Sequence, residues 1–274
     1  MLGFSNQIGI MQGRLLPKFE GRYQAHPVGY WHEEFDLARK FGLDLIEFIF
    51  DFNGWYENPL MTPQGRRQIK KSIQISGVKV ETVCADFFMV SKLTSDEAQE
   101  KESSARVLIS LLRCCEDIGV KNIVIPLVDA SSIQNPDKEK TLISLLREID
   151  GDIREFSCGL SLETDFEPAR FARLLEKLPS GLCSVNYDTG NSASLGFDMR
   201  EEFESYGELI TDLHIKDRTY GGGSTLLGHG DVDFQLLKEL LIEYDYTGPV
   251  IFQAYRDETG VEIFQNQLKY FNEI

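Results

Sequence analysis

The chain has 274 residues, 44 acidic against 28 basic, for a formal net charge of −16. Such an acidic field repels phosphate backbones and argues against nucleic acid as a partner. With 42% hydrophobic and 26% charged residues, the composition is that of an ordinary globular protein with ample material for a core.

Short apolar runs alternate with longer amphipathic stretches from the first residues onward. Strands are expected at Gln7–Met11, Leu43–Phe50, Val78–Ala85, Asn122–Val128, Gly159–Thr164, Cys183–Asp188, Leu209–Ile215 and Pro249–Ala254. Helices are expected near Trp31–Phe41, Pro63–Ser76, Ser95–Ile118, Pro136–Ser157, Pro168–Leu178, Met199–Tyr206, Phe234–Tyr244 and Gly260–Phe271. Gly42, Gly77 and Gly119 follow three of these helices, where glycine accepts the left-handed conformation. Thr62-Pro63 reads as an N-cap followed by proline at the first helical position. Ser95-Asp-Glu-Ala is likewise an acceptable helix start. Thr219–Asp231 is the loosest stretch and reads as a mobile loop. Strand and helix in alternation imply a parallel sheet with crossover helices. Eight pairs in a chain of this length imply a single α/β domain over residues 1–274, a closed (β/α)8 TIM barrel with its active site at the C-terminal strand ends.

The five cysteines form no CxxC pair and read as reduced, mostly buried thiols. The segment MLGFSNQIGIMQGRLLP lacks a basic start followed by a sustained apolar run, so it does not read as a signal peptide. No apolar run approaches the roughly 18 residues of a membrane span. The expected compartment is the cytoplasm.

Four residues near strand ends carry the chemistry: Glu163, Asp188, His214 and Gln253. Side chains alternate faces along a strand. Glu163 therefore shares a face with Ser161, Asp188 with Asn186 and Ser184, and His214 with Asp212 and Lys216. The opposite parity holds Leu160, Leu162, Val185, Tyr187, Leu213 and Ile215, an apolar face suited to packing on helices. Barrel interiors are usually filled by branched apolar residues, so three polar inner faces point to a site. Two carboxylates, an imidazole and an amide oxygen suit one divalent ion, with Mn, Mg, Co and Zn all admissible, and the absence of thiolates argues against structural zinc.

Arg14 follows the first strand, and Lys216 and Arg218 follow the seventh; together they would hold a phosphate or carboxylate. The plainer reading of Arg14 and Arg218 is solvated loop residues. Lys216 shares the inner face with His214. Trp55, Tyr56, Phe87 and Phe88 lie just past strands two and three, as a wall over the substrate or as ordinary packing. His229 in the glycine-rich loop is a substrate contact or a loop residue without a role. His26 and His32 are given no metal role.

The segments Leu162-Glu-Thr-Asp165, Asp188-Thr-Gly-Asn191, Leu213-His-Ile-Lys-Asp-Arg218, Leu227-Gly-His-Gly-Asp-Val-Asp-Phe234 and Gly248-Pro-Val-Ile-Phe-Gln253 together resemble the xylose isomerase-like barrel superfamily. That group holds sugar phosphate isomerases and epimerases, among them ketose 3-epimerases, hydroxypyruvate isomerase and inosose dehydratase. The resemblance covers nearly the whole chain. It implies one divalent ion on Glu163, Asp188, His214 and the position of Gln253. It also implies a glutamate near the substrate at the end of strand two, which falls on Glu47. Two positions depart from the ketose epimerase pattern. The strand-eight glutamate is Gln253, and the histidine often found three residues after the strand-six aspartate is Asn191, counted here among the substrate contacts.

The expected function is a metal-dependent isomerase or epimerase of a small sugar or sugar phosphate, working through an enediolate with Glu163 as base. Glu47 and Lys216 are the candidate partners in proton transfer. An amide at 253 has no proton of useful acidity, which favours one-base chemistry over two-base epimerisation. It should also hold the metal less firmly and leave it more electrophilic. The alternatives are a keto-polyol dehydratase of the inosose type and a barrel that binds sugar without turning it over. A three-zinc nuclease of the endonuclease IV kind needs more than the four histidines present. Homo-oligomer formation is open, since no sequence feature specifies it.

Overall fold

The computed structural model describes residues 6–274, so the first five residues of the N-terminal segment read above lie outside it. Eight parallel strands close into a barrel: β1 Ile8–Met11, β2 Leu45–Ile49, β3 Thr82–Cys84, β4 Asn122–Leu127, β5 Gly159–Thr164, β6 Cys183–Asp188, β7 Ile210–Ile215 and β8 Val250–Phe252. Neighbours in sequence are neighbours in space, and β8 closes the ring by pairing Val250, Ile251 and Phe252 with Ile8, Gly9 and Ile10. Helices connect successive strands, as parallel pairing requires. The (β/α)8 TIM barrel expected from the alternation is the architecture found.

Helix ends follow their residues. The Thr62 hydroxyl accepts from the Gly65 N–H and caps helix Pro63–Ser76, which ends at Gly77 with φ 78°. Asn135 caps helix Pro136–Glu148 by accepting from the Asp137 and Lys138 amides. That helix is shorter than its apolar pattern suggests. It stops at Ile149, and a separate helical turn, Asp150–Ile153, follows. The helix expected from Ser95 begins at Ala98, with the Ser95 hydroxyl accepting from the Glu97 N–H ahead of it. Two helices escaped the sequence reading: Phe87–Val90 and Thr189–Leu195. Among the described residues no helix is long and apolar enough to cross a membrane.

The outer strand faces are apolar as alternation requires. Leu160, Leu162, Val185, Tyr187, Leu213 and Ile215 are buried in the main core between barrel and helices. Each aliphatic side chain so buried contributes about 1.5–3 kcal/mol. The inside of the barrel divides in two. Met11, Leu45, Ile49, Cys84, Val124 and Ile251 form a separate apolar cluster on the β1–β4 and β8 side. The β5–β7 side is polar. Low in it, the hydroxyls of Ser161, Ser184 and Thr211 lie 2.6–3.0 Å from one another. Thr211 joins them because β6 and β7 slip there. Val185 pairs with Ile210 and Asn186 with Asp212, so Thr211 is an extra residue.

The stretch Thr219–Asp231, expected as a mobile loop, is more ordered than its composition suggests. Ser224–Thr225 pairs antiparallel with Asp217–Arg218. The Asp217 carboxylate accepts from the N–H groups of Gly228, Gly230 and Val232 at 2.8, 2.9 and 3.2 Å. A Cβ at 230 would lie 2.2 Å from Asp217 Oδ1, so only glycine fits there.

Candidate active site

The ends of β5, β6 and β7 bring Glu163, Asp188 and His214 together. One donor atom from each lies within 4.8 Å of the others, and all three side chains are buried. His214 Nδ1 stands 3.8 Å from Glu163 Oε2 and 3.9 Å from Asp188 Oδ2. Asn186, two residues below Asp188 on the same face, fills the gap. Its amide donates to Glu163 Oε2 at 3.0 Å and lies 3.1 Å from His214 Nδ1.

The segment Asp188-Thr-Gly-Asn builds much of this geometry, each residue for a separate reason. Asp188 Oδ1 accepts from the Asn191 N–H and caps helix Thr189–Leu195, leaving Oδ2 for the site. The Thr189 hydroxyl donates to the carbonyl of Lys216 at 2.6 Å and accepts from its N–H at 3.0 Å, pinning the helix start to the end of β7. Gly190 has no side chain because a Cβ there would lie 2.8 Å from Lys216 Cγ. Asn191 Nδ2 then reaches back to Glu163 Oε1 at 2.6 Å. Arg218 Nη1 donates to Asn191 Oδ1 at 2.9 Å, so Arg218 orients the amide that orients Glu163.

Lys216 and Gln253 complete the rim. The Lys216 ammonium lies 2.8 Å from Asp188 Oδ2 and donates to Gln253 Oε1 at 2.7 Å. Arg14 reaches the same rim. It donates to the carbonyl of Ala254 at 3.1 Å and to Gln24 Oε1 at 3.2 Å. Burial brings the Arg14 guanidinium down to about 10, against the pull of Asp188.

Glu47, which the resemblance puts near the substrate, packs against the His214 ring. It is fully buried, with Oε1 at 2.8 Å from His214 Nε2 on the far side of the ring. Asp212 is buried with them, and Glu47, Asp212 and His214 form a second close group of donor atoms. Burial, with Glu47 adding to it, holds the Asp212 carboxyl well above the usual carboxylate range. Burial alone would lower the His214 imidazole, but Glu47, with Glu163 and Asp212 behind it, carries it up to about 10. Burial and the nearby Asp188 push the Glu163 carboxyl up to about 7.

The remaining expected residues divide. His229 is exposed on its loop, and its side chain makes no hydrogen bond among the described residues. Trp55 is half-buried and packs edge-on against Phe87 and Phe50, with ring centroids 5.8 and 6.4 Å apart. Phe52 and Tyr56 stay exposed beside it. His26 is buried away from the foursome, 3.1 Å from Gln12 Oε1. A cleft of about 180 Å³ on this face, lined by Arg22, His26, Asp51 and Asn58 among others, lies to one side of the foursome.

Sequence reasoning left two members of the rim out. Asp86 follows Thr82 and Cys84 in the inner parity of β3, so continuing the alternation past the strand end would have found it. Gln24 sits in irregular chain after β1 and carries no such signal. Asn186 and Asp212 were placed on the inner face by parity but given no role.

The donor set fits a divalent ion. It is two carboxylates and an imidazole nitrogen, all hard or borderline ligands. Asn186 Oδ1 is buried without a hydrogen-bond donor, and Asp188 Oδ2 faces the site beside the Lys216 ammonium at 2.8 Å. Glu47 accepting from Nε2–H would fix Nδ1 as the free nitrogen facing Glu163 and Asp188. Gln253 Oε1 already accepts from Lys216, and an amide oxygen has a second lone pair.

Comparison with known proteins agrees with the fold. The chain is 22% identical over 249 residues to L-ribulose-5-phosphate 3-epimerase UlaE from Escherichia coli (strain SMS-3-5 / SECEC), covering 85% of this chain and 86% of that one. It is 29% identical over 123 residues to inosose dehydratase from Geobacillus kaustophilus (strain HTA426), a match limited to 38% of this chain and 39% of the dehydratase. The crystal structure of the IOLI protein with a zinc atom superposes with a TM-score of 0.76 at 15% identity, over 97% of this chain and 96% of that one. The family model for xylose isomerase-like TIM barrels matches residues 35–274, and the chain belongs to that family.

Proposed function

We propose that the protein is a divalent-metal-dependent isomerase or epimerase of a small sugar or sugar phosphate, with Glu163 as the base. The observation that carries this reading is the buried convergence of Glu163, Asp188 and His214 at the strand ends. The relation to a sugar phosphate 3-epimerase over most of the chain supports the substrate class. The IOLI structure, which shares this fold, holds a zinc atom, and that supports a metal in this protein.

Glu163, Asp188 and His214 would hold the ion, with Gln253 Oε1 as a weaker fourth ligand. When bound, the ion supplies Lewis acidity to adjacent carbonyl and hydroxyl oxygens of the substrate. Glu163 takes the proton from the hydroxyl-bearing carbon next to the carbonyl. Asn191 and Asn186, each donating to one oxygen of its carboxylate, fix the direction from which it does so. Lys216 holds positive charge at the rim, where its N–H groups can donate to the oxygen that gains charge in the enediolate. Glu163 can return the proton to the neighbouring carbon, which is isomerisation. Inversion needs a donor on the other face, and the Gln253 amide offers none. Glu47, behind the His214 ring, acts on the site through His214 and not on the substrate.

Metal analysis of the purified protein, followed by exchange of substrate C–H in D₂O across ketoses and ketose phosphates, tests the reading. Protein that takes up no divalent ion after chelation and reloading would sink it. The inosose dehydratase match favours one second reading, removal of a β-hydroxyl by the same base. Product mass separates the two, since dehydration loses water.

A further inference from the structure

Residue 253 is an amide where a third carboxylate would hold a dication more tightly, and its surroundings give a reason. Gln253 Oε1 accepts from Lys216 Nζ at 2.7 Å, and Gln253 Nε2 donates to Gln24 Oε1 at 2.8 Å. The same Gln24 oxygen accepts from Arg14 Nη2 at 3.2 Å. Gln24 Nε2 donates to Asp86 Oδ2 at 3.3 Å, and Asp86 Oδ1 accepts from the Cys84 thiol at 3.2 Å. The chain runs from an ammonium through two amides to a carboxylate.

An amide has one accepting and one donating end, so such a chain has a direction. Here charge fixes both ends. Turning Gln24 over would set its NH₂ against Arg14 and its oxygen against Asp86. Turning Gln253 over would set its NH₂ against Lys216 and its oxygen against the Gln24 oxygen. A carboxylate at 253 would face the Gln24 oxygen with no proton between them, and Gln24 could answer only by turning its own oxygen onto Asp86. Burial raises the Asp86 carboxyl to about 6, which still leaves it ionised at neutral pH.

We propose that Gln24 and Asp86 are positioning residues that hold the Gln253 amide with its oxygen towards Lys216 and Asp188, so that the network accepts an amide and resists a carboxylate at position 253. The consequence for catalysis rests on the proposed metal-dependent function: position 253 then presents an uncharged oxygen to the ion and no acid to the substrate.

The test is a double-mutant cycle in metal-free protein, read by denaturant unfolding. Gln253→Glu should destabilise. Adding Asp86→Asn supplies a donor to a turned Gln24, so the double variant should be about tenfold better in its unfolding equilibrium than the two single effects predict. In a Gln24→Ala background that coupling should vanish. Additive effects overturn the proposal. So does a coupling that survives Gln24→Ala, because it would then be plain repulsion between residues 86 and 253. A second measurement needs no glutamate variant. The side-chain amide protons of Gln24 and Gln253 should exchange slowly in wild-type protein, and Asp86→Asn should speed them; unchanged exchange overturns the proposal as well. Mn²⁺ binding by electron paramagnetic resonance keeps the two readings apart. Gln253→Glu should bind Mn²⁺ more tightly with Asp86→Asn than without it. Protein that binds no Mn²⁺ in any background removes the metal reading, while the unfolding cycle still decides the amide chain.

Discussion

The two halves of the barrel interior are built from opposite chemistry. On the β1–β4 and β8 side, Met11, Leu45, Ile49, Cys84, Val124 and Ile251 interlock as a dry cluster. On the β5–β7 side, Ser161, Glu163, Ser184, Asn186, Asp188, Asp212 and His214 face inward, and several of their atoms lack partners. The first half gains stability from burial. The second gives up some of that stability to keep charge desolvated, as binding and catalytic sites commonly do. Perturbing one half should therefore move stability and leave chemistry, and the reverse should hold for the other.

The largest contrast should come from Glu163→Gln. Exchange of substrate protons should fall about a thousandfold, some 4 kcal/mol in the barrier, while the unfolding midpoint barely moves. Retained exchange would place the base elsewhere. Leu45→Ala is the counterpart in the dry half. It should cost about 3 kcal/mol in denaturant unfolding, with Mn²⁺ affinity of the folded protein unchanged. Metal removal comes next. Mn²⁺ at a hundred times its dissociation constant should add about 2.7 kcal/mol of stability, which a chelator takes away. Because His214 titrates near 10 without metal, the ion must displace its proton at neutral pH. Mn²⁺ should then release a proton into weakly buffered solution at pH 8 and bind more tightly as pH rises; no release would argue against His214 as a ligand.

The smallest effect lies where the halves meet, at Asp86. Its carboxyl titrates at about 6 when folded against 3.8 otherwise, so between those values the folded state binds more protons. Stability from this group is present below 3.8 and declines as pH rises through 6. Solvent reaching its half-buried side chain reduces the effect to about 1–2 kcal/mol. Asp86→Asn should flatten that part of the stability–pH curve by this amount. A difference of the opposite sign would mean that Gln24 and Cys84 stabilise the carboxylate more than burial opposes it.

Alternation alone made the barrel legible, because parity separates Leu160, Leu162, Val185 and Tyr187 from Ser161, Glu163, Asn186 and Asp188 without any knowledge of contacts. The same parity led to the convergence of Glu163, Asp188 and His214. Depth along a strand was not legible. Glu47 has the right face, yet it lies behind His214, because the distance of a residue from the barrel mouth depends on stagger between strands. Local hydrogen bonding hid the helix Thr189–Leu195, whose start depends on the Asp188 cap and on Thr189 reaching across to β7. Gln24 was invisible for a plainer reason: irregular chain has no period to read.

The Asp217 carboxylate has a consequence for how this protein can change. It gathers Gly228, Gly230 and Val232 onto one side chain, immediately beyond Lys216, and Asp231 N–H is held by the Arg218 carbonyl. The chain between Tyr220 and Leu226 thus leaves and returns to a single clasp. Within it the Gly222 carbonyl accepts from the Arg218 guanidinium, so a change there reaches Asn191 and Glu163 through Arg218. Variation in this segment would then act on the direction of the Glu163 carboxylate through Arg218, while the Asp217 clasp anchors the chain on either side of it.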